Sequence, residues 1–151
     1  MIKRIQHSSY TVSNLDEALH FFCDLLGLQA STILEPRGER LDKLYKLQEV
    51  SQRLAVVRTP GDDVIHLIEY LSPKGERIDP KLCNPGVAHL AFEVDDIQKT
   101  YDKLTAEGVE FNHPPFWGGQ KIEDIKGWGV CFLKGPDGIP IELMQAPKQA
   151  N

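Results

Sequence analysis

His7-Ser8-Ser9-Tyr10-Thr11-Val12-Ser13-Asn14-Leu15 and His89-Leu90-Ala91-Phe92-Glu93-Val94-Asp95-Asp96-Ile97 are the stretches on which the reading of this chain turns. Each runs His, four residues, Val, one residue, Asn or Asp, then Leu or Ile. One offset, 89 − 7 = 82, relates all of those positions. A shared period of this kind marks an internal repeat, so the test is whether the flanking sequence repeats too. Asn14 and Asp96 are N-cap residue types, and each precedes a helical periodicity. Leu15, Ala18, Leu19, Phe22, Leu25 and Leu26 recur at spacings of three and four until Gly27, and Ile97, Tyr101 and Leu104 do the same until Gly108. A short extended piece follows each glycine.

Two further strand candidates close each half. In the first they cover 53–59 and 64–71, joined through Pro60-Gly61-Asp62-Asp63; in the second they cover 129–133 and 139–145, joined through Gly135-Pro136-Asp137-Gly138. The chain therefore reads βαβββ twice. The expected class is α+β, with tandem βαβββ modules forming a curved, mostly antiparallel sheet. The expected organisation is one domain over 1–151, with module one over about 1–72, a linker over about 73–85 and module two over about 86–147. Two parts do not repeat. Residues 35–50 carry Leu41, Leu44, Tyr45 and Leu47 among charges, which suggests a short amphipathic insert. The run His113-Pro114-Pro115-Phe116-Trp117-Gly118-Gly119-Gln120 is aromatic and glycine-rich, and is expected to be an irregular loop, either a lid over a pocket or an ordinary surface loop.

Within this frame a His lies on the first strand of each half, and a Glu on the last. Glu69 sits in Val64-Ile65-His66-Leu67-Ile68-Glu69-Tyr70-Leu71 and Glu142 in Ile139-Pro140-Ile141-Glu142-Leu143-Met144. Carboxylates in apolar strands are costly to bury unless compensated, and a shared cation compensates two at once. Alternation places Glu69 with Leu67 and Leu71 and Glu142 with Pro140 and Met144, on faces expected to look inward. His7, Glu69, His89 and Glu142 are thus the expected ligands of one divalent metal ion. Two imidazoles and two carboxylates suit Zn, Ni, Co, Mn or Fe(II), and ligand type does not choose among them. His20, His66 and His113 are left out: the first lies on the helix, the second has the opposite strand parity to Glu69, and the third is in the loop.

Composition limits the partners. At 151 residues and 17.0 kDa, 41% hydrophobic, the chain has enough apolar content to fill one compact core. Its 17 Lys and Arg against 22 Asp and Glu give a net charge of -5, which disfavours nucleic acid or an anionic membrane as the main partner and leaves a small molecule. No apolar run reaches the roughly 18 residues that span a bilayer, and Met1-Ile2-Lys3-Arg4-Ile5-Gln6 leads into no apolar signal region. A soluble cytoplasmic protein is the expectation. Cys23, Cys83 and Cys131 are odd in number and far apart, which fits reduced thiols rather than a disulfide framework or a CxxC zinc site.

These motifs resemble the vicinal oxygen chelate superfamily, which includes glyoxalase I, methylmalonyl-CoA epimerase, extradiol dioxygenases and the fosfomycin and bleomycin resistance proteins. The similarity is most specific in the His7 strand with Asn14-Leu15-Asp16-Glu17-Ala18 and Phe21-Phe22-Cys23-Asp24-Leu25-Leu26-Gly27. It continues in Gly86-Val87-Ala88-His89-Leu90 with Glu93-Val94-Asp95-Asp96-Ile97, and in Gly135-Pro136-Asp137-Gly138-Ile139-Pro140-Ile141-Glu142-Leu143. The resemblance implies the glyoxalase-like fold, a metal site and, commonly, a homodimer. A fourth ligand on the last strand of the first half, the place given to Glu69, is similar to the isomerase and lyase members. It implies a metal-dependent lyase or isomerase of glyoxalase I type, abstracting a proton next to a metal-chelated carbonyl, with Glu142 as base and Glu69 as ligand or second base.

Other readings stay open beside it: an acyl-CoA epimerase, an Fe(II) extradiol-type dioxygenase using His7, His89 and Glu142, or a non-catalytic binding protein in which Phe116, Trp117 and Trp128 line a substrate groove. The substrate class is also open. Thr11 and Pro73 stand where bacterial glyoxalase I resembles this chain but carries Arg and Asn, and the strand before Glu69 lacks the second carboxylate of the epimerase, though Glu49 lies nearby in sequence.

Overall fold

In the computed structural model, which describes residues 1–118 and 126–147, the chain divides into two compact units, Met1–Ile78 and Asp79–Asn151. The first unit contains strands β1 (Ser8–Thr11), β2 (Gln29–Ala30), β3 (Ser51–Arg58) and β4 (Val64–Ser72) in the order β1-β4-β3-β2. The second contains β5 (Leu90–Glu93), β6 (Phe116–Trp117), β7 (Gly129–Lys134) and β8 (Pro140–Gln145) in the order β5-β8-β7-β6. The class is α+β. In both sheets the first strand runs parallel to the last and the other pairs are antiparallel.

A crossover helix makes the parallel pairing possible. In the first unit it is α1 (Leu15–Leu19), which continues as a π-helix over His20–Leu25; in the second it is α3 (Ile97–Ala106). Asn14 and Asp96 cap them as expected: Asn14 Oδ1 accepts from the backbone N–H groups of Asp16 and Glu17, and Asp96 Oδ1 from that of Lys99. Gly27 (φ 78) and Gly108 (φ 84) end them in the left-handed conformation that lets their N–H groups turn back onto Cys23 and Thr105. The repeat is inexact here, because the span from Leu15 to Gly27 is one residue longer than that from Ile97 to Gly108. The π-helical turn takes up the additional residue, so that the chain leaves both helices at equivalent places.

Each helix buries one stripe on one face of its own sheet. In the first unit Leu15, Ala18 and Phe22 meet Ala55, Val57, Ile65 and Leu67; in the second Ile97 and Leu104 meet Cys131, Leu133, Ile141 and Leu143. Sealing a side chain such as Phe22 or Leu67 from water contributes roughly 1.5–3 kcal/mol. The opposite sheet faces, carrying Val56, His66 and Ile68 in one unit and Val130, Phe132 and Glu142 in the other, are only partly covered.

The insert between β2 and β3 contains helix α2 (Glu39–Tyr45). One expectation is corrected. Phe116 and Trp117 are strand residues paired with β7 rather than irregular loop, while Gly119 and Gln120 lie outside the described residues. Gln52, at the start of β3, is fully buried. No helix among the described residues is long and apolar enough to cross a membrane.

Candidate metal centre

Strand register decides which side chains meet. β1 and β4 pair Ser9 with His66, and β5 and β8 pair Ala91 with Glu142. Ser9 and Ala91 are related by the same offset as the two repeat segments, so His66 and Glu142 occupy equivalent places. His7 and His89 precede them by two residues, one alternation, and fall on those same faces.

In the first unit the His7 ring stacks on His66, with ring centroids 3.9 Å apart and planes inclined at 13°. His7 Nδ1 also meets Gln6 Oε1. Burial and the neighbouring His7 ring together hold the His66 imidazole below its ordinary pKa. That favours the neutral ring, the form that binds metal. In the second unit His89 Nε2 lies 3.2 Å from Glu142 Oε2, and Phe132 sets its ring edge against His89 with centroids 5.4 Å apart. Glu142 is largely enclosed, its side chain 14% exposed.

Glu69 stands elsewhere. Its parity is opposite to that of His66, and it faces the helix side of the sheet. There its Oε2 accepts from the Leu15 backbone N–H at 3.2 Å and from Arg53 Nη1 at 3.1 Å, while Lys74 Nζ lies 3.7 Å from Oε1. Arg53 also forks onto Asp16, with nitrogen–oxygen distances of 3.0 and 2.9 Å, and holds that carboxyl below its usual range. Glu69 is thus neutralised by cations and anchored to a helix N-terminus, with no histidine beside it among the described residues. Gln145 is its counterpart in the second unit, where Oε1 accepts from the Ile97 backbone N–H at 2.8 Å.

The sequence reading left His66 out of its donor set because it matched the two glutamates with each other. The last strands instead align as Ile65-His66-Leu67-Ile68-Glu69 and Ile141-Glu142-Leu143-Met144-Gln145, a pattern of Ile, ligand type, Leu, apolar residue and helix-capping residue that was already visible.

The three aromatic candidates also separate. Phe116 pairs with Val130, and Val130 with Met144, so Phe116 shares the Glu142 face; it is 59% exposed and stacks on His113 at 4.1 Å. Trp117 pairs with Gly129 and lies on the helix side, where a Cβ added to Gly129 would stand 3.0 Å from the indole and 3.2 Å from Ile97. Trp128 is half-buried, and its carbonyl accepts from Gly118 N–H. Among the described residues no three His, Cys, Asp or Glu side chains gather into one group that could hold a metal; on the sheet faces described above, two imidazoles pair in the first unit and an imidazole pairs with a carboxylate in the second.

The sequence matches the description of the Glyoxalase/Bleomycin resistance protein/Dioxygenase superfamily over residues 4–143. The chain belongs to that superfamily. Among its relatives is a 2-epi-5-epi-valiolone epimerase of Actinomyces sp, 28% identical over 97% of this chain and 81% of that protein. Another, a probable lactoylglutathione lyase of Synechocystis sp., is 29% identical over 96% of this chain and 97% of its own length. A glyoxalase family protein of Bacillus cereus has the same fold, with a TM-score of 0.82 at 24% identity over 97% of this chain and 96% of that one. Superfamily membership makes an enzyme acting on a small molecule plausible and leaves the reaction to be argued from the residues.

Proposed function

We infer that this superfamily member is a metal-dependent lyase or isomerase of glyoxalase I type, which moves a proton on the carbon next to a carbonyl. The observation that carries the reading is the equivalence of two donor pairs, His7 with His66 and His89 with Glu142, at matching register positions of the two sheets. Both pairs are proposed as divalent-metal donors, with His66 in the place that sequence alone assigned to Glu69. Imidazole nitrogens and a carboxylate fit Zn, Ni, Co, Mn or Fe(II). The fit rests on two features: side-by-side imidazoles, one of them biased to the neutral form, and an enclosed carboxylate beside the third.

When bound, the ion supplies Lewis-acid stabilisation of the negative charge that develops on the carbonyl oxygen. Glu142 accepts the proton and returns it, with His89 Nε2 3.2 Å from its Oε2. The protein is proposed to work as a homodimer on a small-molecule substrate. The experiment is proton exchange in deuterated water, followed by NMR on hemithioacetals of methylglyoxal and on acyl thioesters with branched α-carbons. Glu142→Gln is expected to abolish deuterium incorporation while a chelator competition still detects bound metal. Exchange that persists in the variant would remove Glu142 as base.

A second reading, epimerisation with a second base, is favoured by Glu49. It lies exposed directly ahead of β3 with φ 54, a left-handed conformation that costs a residue with a Cβ about 1–2 kcal/mol. The named epimerase among the relatives points the same way. Under this reading Glu49→Gln blocks exchange from one stereoisomer of the substrate only, and equal rates from both isomers in the variant would exclude it.

A further inference from the structure

Gln52 is fully buried, and neither its Nε2 nor its Oε1 has a hydrogen-bond partner among the described residues. An amide held out of water with donor and acceptor both unmatched is unfavourable, and a bound group with both functions relieves it. Its location suggests what that partner does. Gln52 pairs with Tyr70 across β3 and β4, while the next pair, Arg53 and Glu69, faces α1 through their ion pair. Gln52 and Tyr70 therefore face the other side, the side that carries His66.

The chain ahead of β3 covers this place. Gln52 N–H donates to the Pro36 carbonyl, Arg37 bridges to Ser51, and Tyr45 of α2 sets its ring edge against Tyr70 with centroids 6.3 Å apart. Burial and the neighbouring Tyr45 push the Tyr70 phenol above its ordinary pKa; the Gln52 amide acts in the opposite direction without reaching hydrogen-bond geometry. Within the cover α2 contains no buried residue, Leu44 on it is 68% exposed, and left-handed residues Lys46 and Glu49 follow it, while Asp42 Oδ1 ties it to the Val50 N–H at 2.7 Å.

We propose that Gln52, beside Tyr70 and beneath α2, is a specificity subsite that receives a carboxamide of the substrate at a point remote from the reacting carbon. A carboxamide is a complement because Gln52 offers N–H and C=O side by side in one plane, and a planar group with the same two functions satisfies both at once. The two tyrosine rings supply flat apolar flanks. Four strand residues separate His66 from Tyr70, roughly 13 Å at the usual rise, so the substrate bears an amide-carrying arm of that reach. The proposal rests on the proton-transfer reading for the other end of the substrate.

The test uses the 15N-labelled full-length protein, with the Gln52 side-chain NH2 signals identified by their loss in Gln52→Met. Titration with N-acetyl-S-methylcysteine methylamide is expected to shift those signals saturably, and titration with methyl propyl sulfide is not. No saturable shift, or the same shift with both probes, would overturn the subsite and leave a buried water as the partner of Gln52. Turnover gives an independent arm. Gln52→Met is expected to raise KM about tenfold for the methylglyoxal hemithioacetal of N-acetylcysteine methylamide with kcat within twofold, and to leave the propanethiol adduct unaffected. Equal effects on both adducts count against the subsite. If the wild type turns over neither adduct, the proton-transfer reading fails, while the NMR titration still decides the role of Gln52.

Discussion

Glu69 accepts a hydrogen bond from the backbone N–H of Leu15, the first residue of α1, at 3.2 Å. The same arrangement recurs in the second unit, where Gln145 accepts from Ile97 at the start of α3. Helix N-termini leave N–H groups without intrahelical partners, and the Ncap side chains serve only some of them. In both halves a last-strand residue of opposite parity to His66 or Glu142 accepts from the first N–H of the helix. Because Gln serves in one copy, Glu69→Gln is expected to keep the Leu15 hydrogen bond, lose the attraction of Arg53 and lower stability by less than about 1 kcal/mol. Metal stoichiometry should not change. Glu69→Leu strands the Leu15 N–H and should cost about 1–3 kcal/mol in a urea titration. Loss of metal in Glu69→Gln would return Glu69 to the ligand set.

His66 carries the opposite expectation. Removing the ring in His66→Ala takes away a proposed metal donor and should weaken metal binding at least about tenfold, since even outer-sphere partners of metal ligands are worth about 10–100-fold. Competition with a chromophoric chelator measures this directly. Unchanged affinity in His66→Ala would place the metal elsewhere.

The metal-free protein should lose stability on acidification because of the same ring. Burial and His7 depress the His66 pKa in the folded chain below its usual 6.5. The unfolded chain then binds the proton more readily, so this contribution is complete above about pH 6.5 and is lost as pH falls through the lower folded value. Midpoints of urea unfolding at pH 7.5, 6.5 and 5.5 should fall in that order. The slope should flatten in His66→Gln, and an identical slope in wild type and variant would show that other groups set the acid limit.

Thiol reactivity should discriminate sharply among the cysteines. Cys83 is exposed, whereas burial, reinforced by the Glu142 charge, pushes Cys131 up to about 11. At pH 8 its thiolate fraction is then on the order of a thousandth. Iodoacetamide followed by peptide mass spectrometry should label Cys83 within minutes and leave Cys131 unmodified until the protein is unfolded. Equal labelling of both in the folded protein would contradict the buried placement.

Much of the architecture was legible before any coordinate. The offset between the His7 and His89 segments, the caps Asn14 and Asp96, and the stops at Gly27 and Gly108 are local signals, each carried by a few neighbouring residues, and the helices and strands form where they direct. The π-helical turn over His20–Leu25 was not legible. An additional residue in an apolar helix shows only as a one-residue discrepancy between the halves, and nothing local says whether a loop or the helix absorbs it. The strand at Phe116–Trp117 was hidden by the prolines and glycines around it, because its pairing comes from Val130 and Gly129 on a neighbouring strand.

By itself the sequence determined that two related βαβββ units exist, that His7 and His89 begin them, and that a residue of metal-ligating type stands on the last strand of each. It did not determine which such residue of the first shares a face with His7. The strand 64–71 is apolar on both sides apart from His66 and Glu69, whose side chains point to opposite faces, so hydrophobic patterning left both available. Only the tertiary structure, by pairing Ser9 with His66 in a parallel ladder and bringing α1 down on the other face, assigned His66 to the His7 side and Glu69 to the helix. The physical reason is that alternation fixes which residues share a face, while long-range strand pairing and helix packing fix what each face meets.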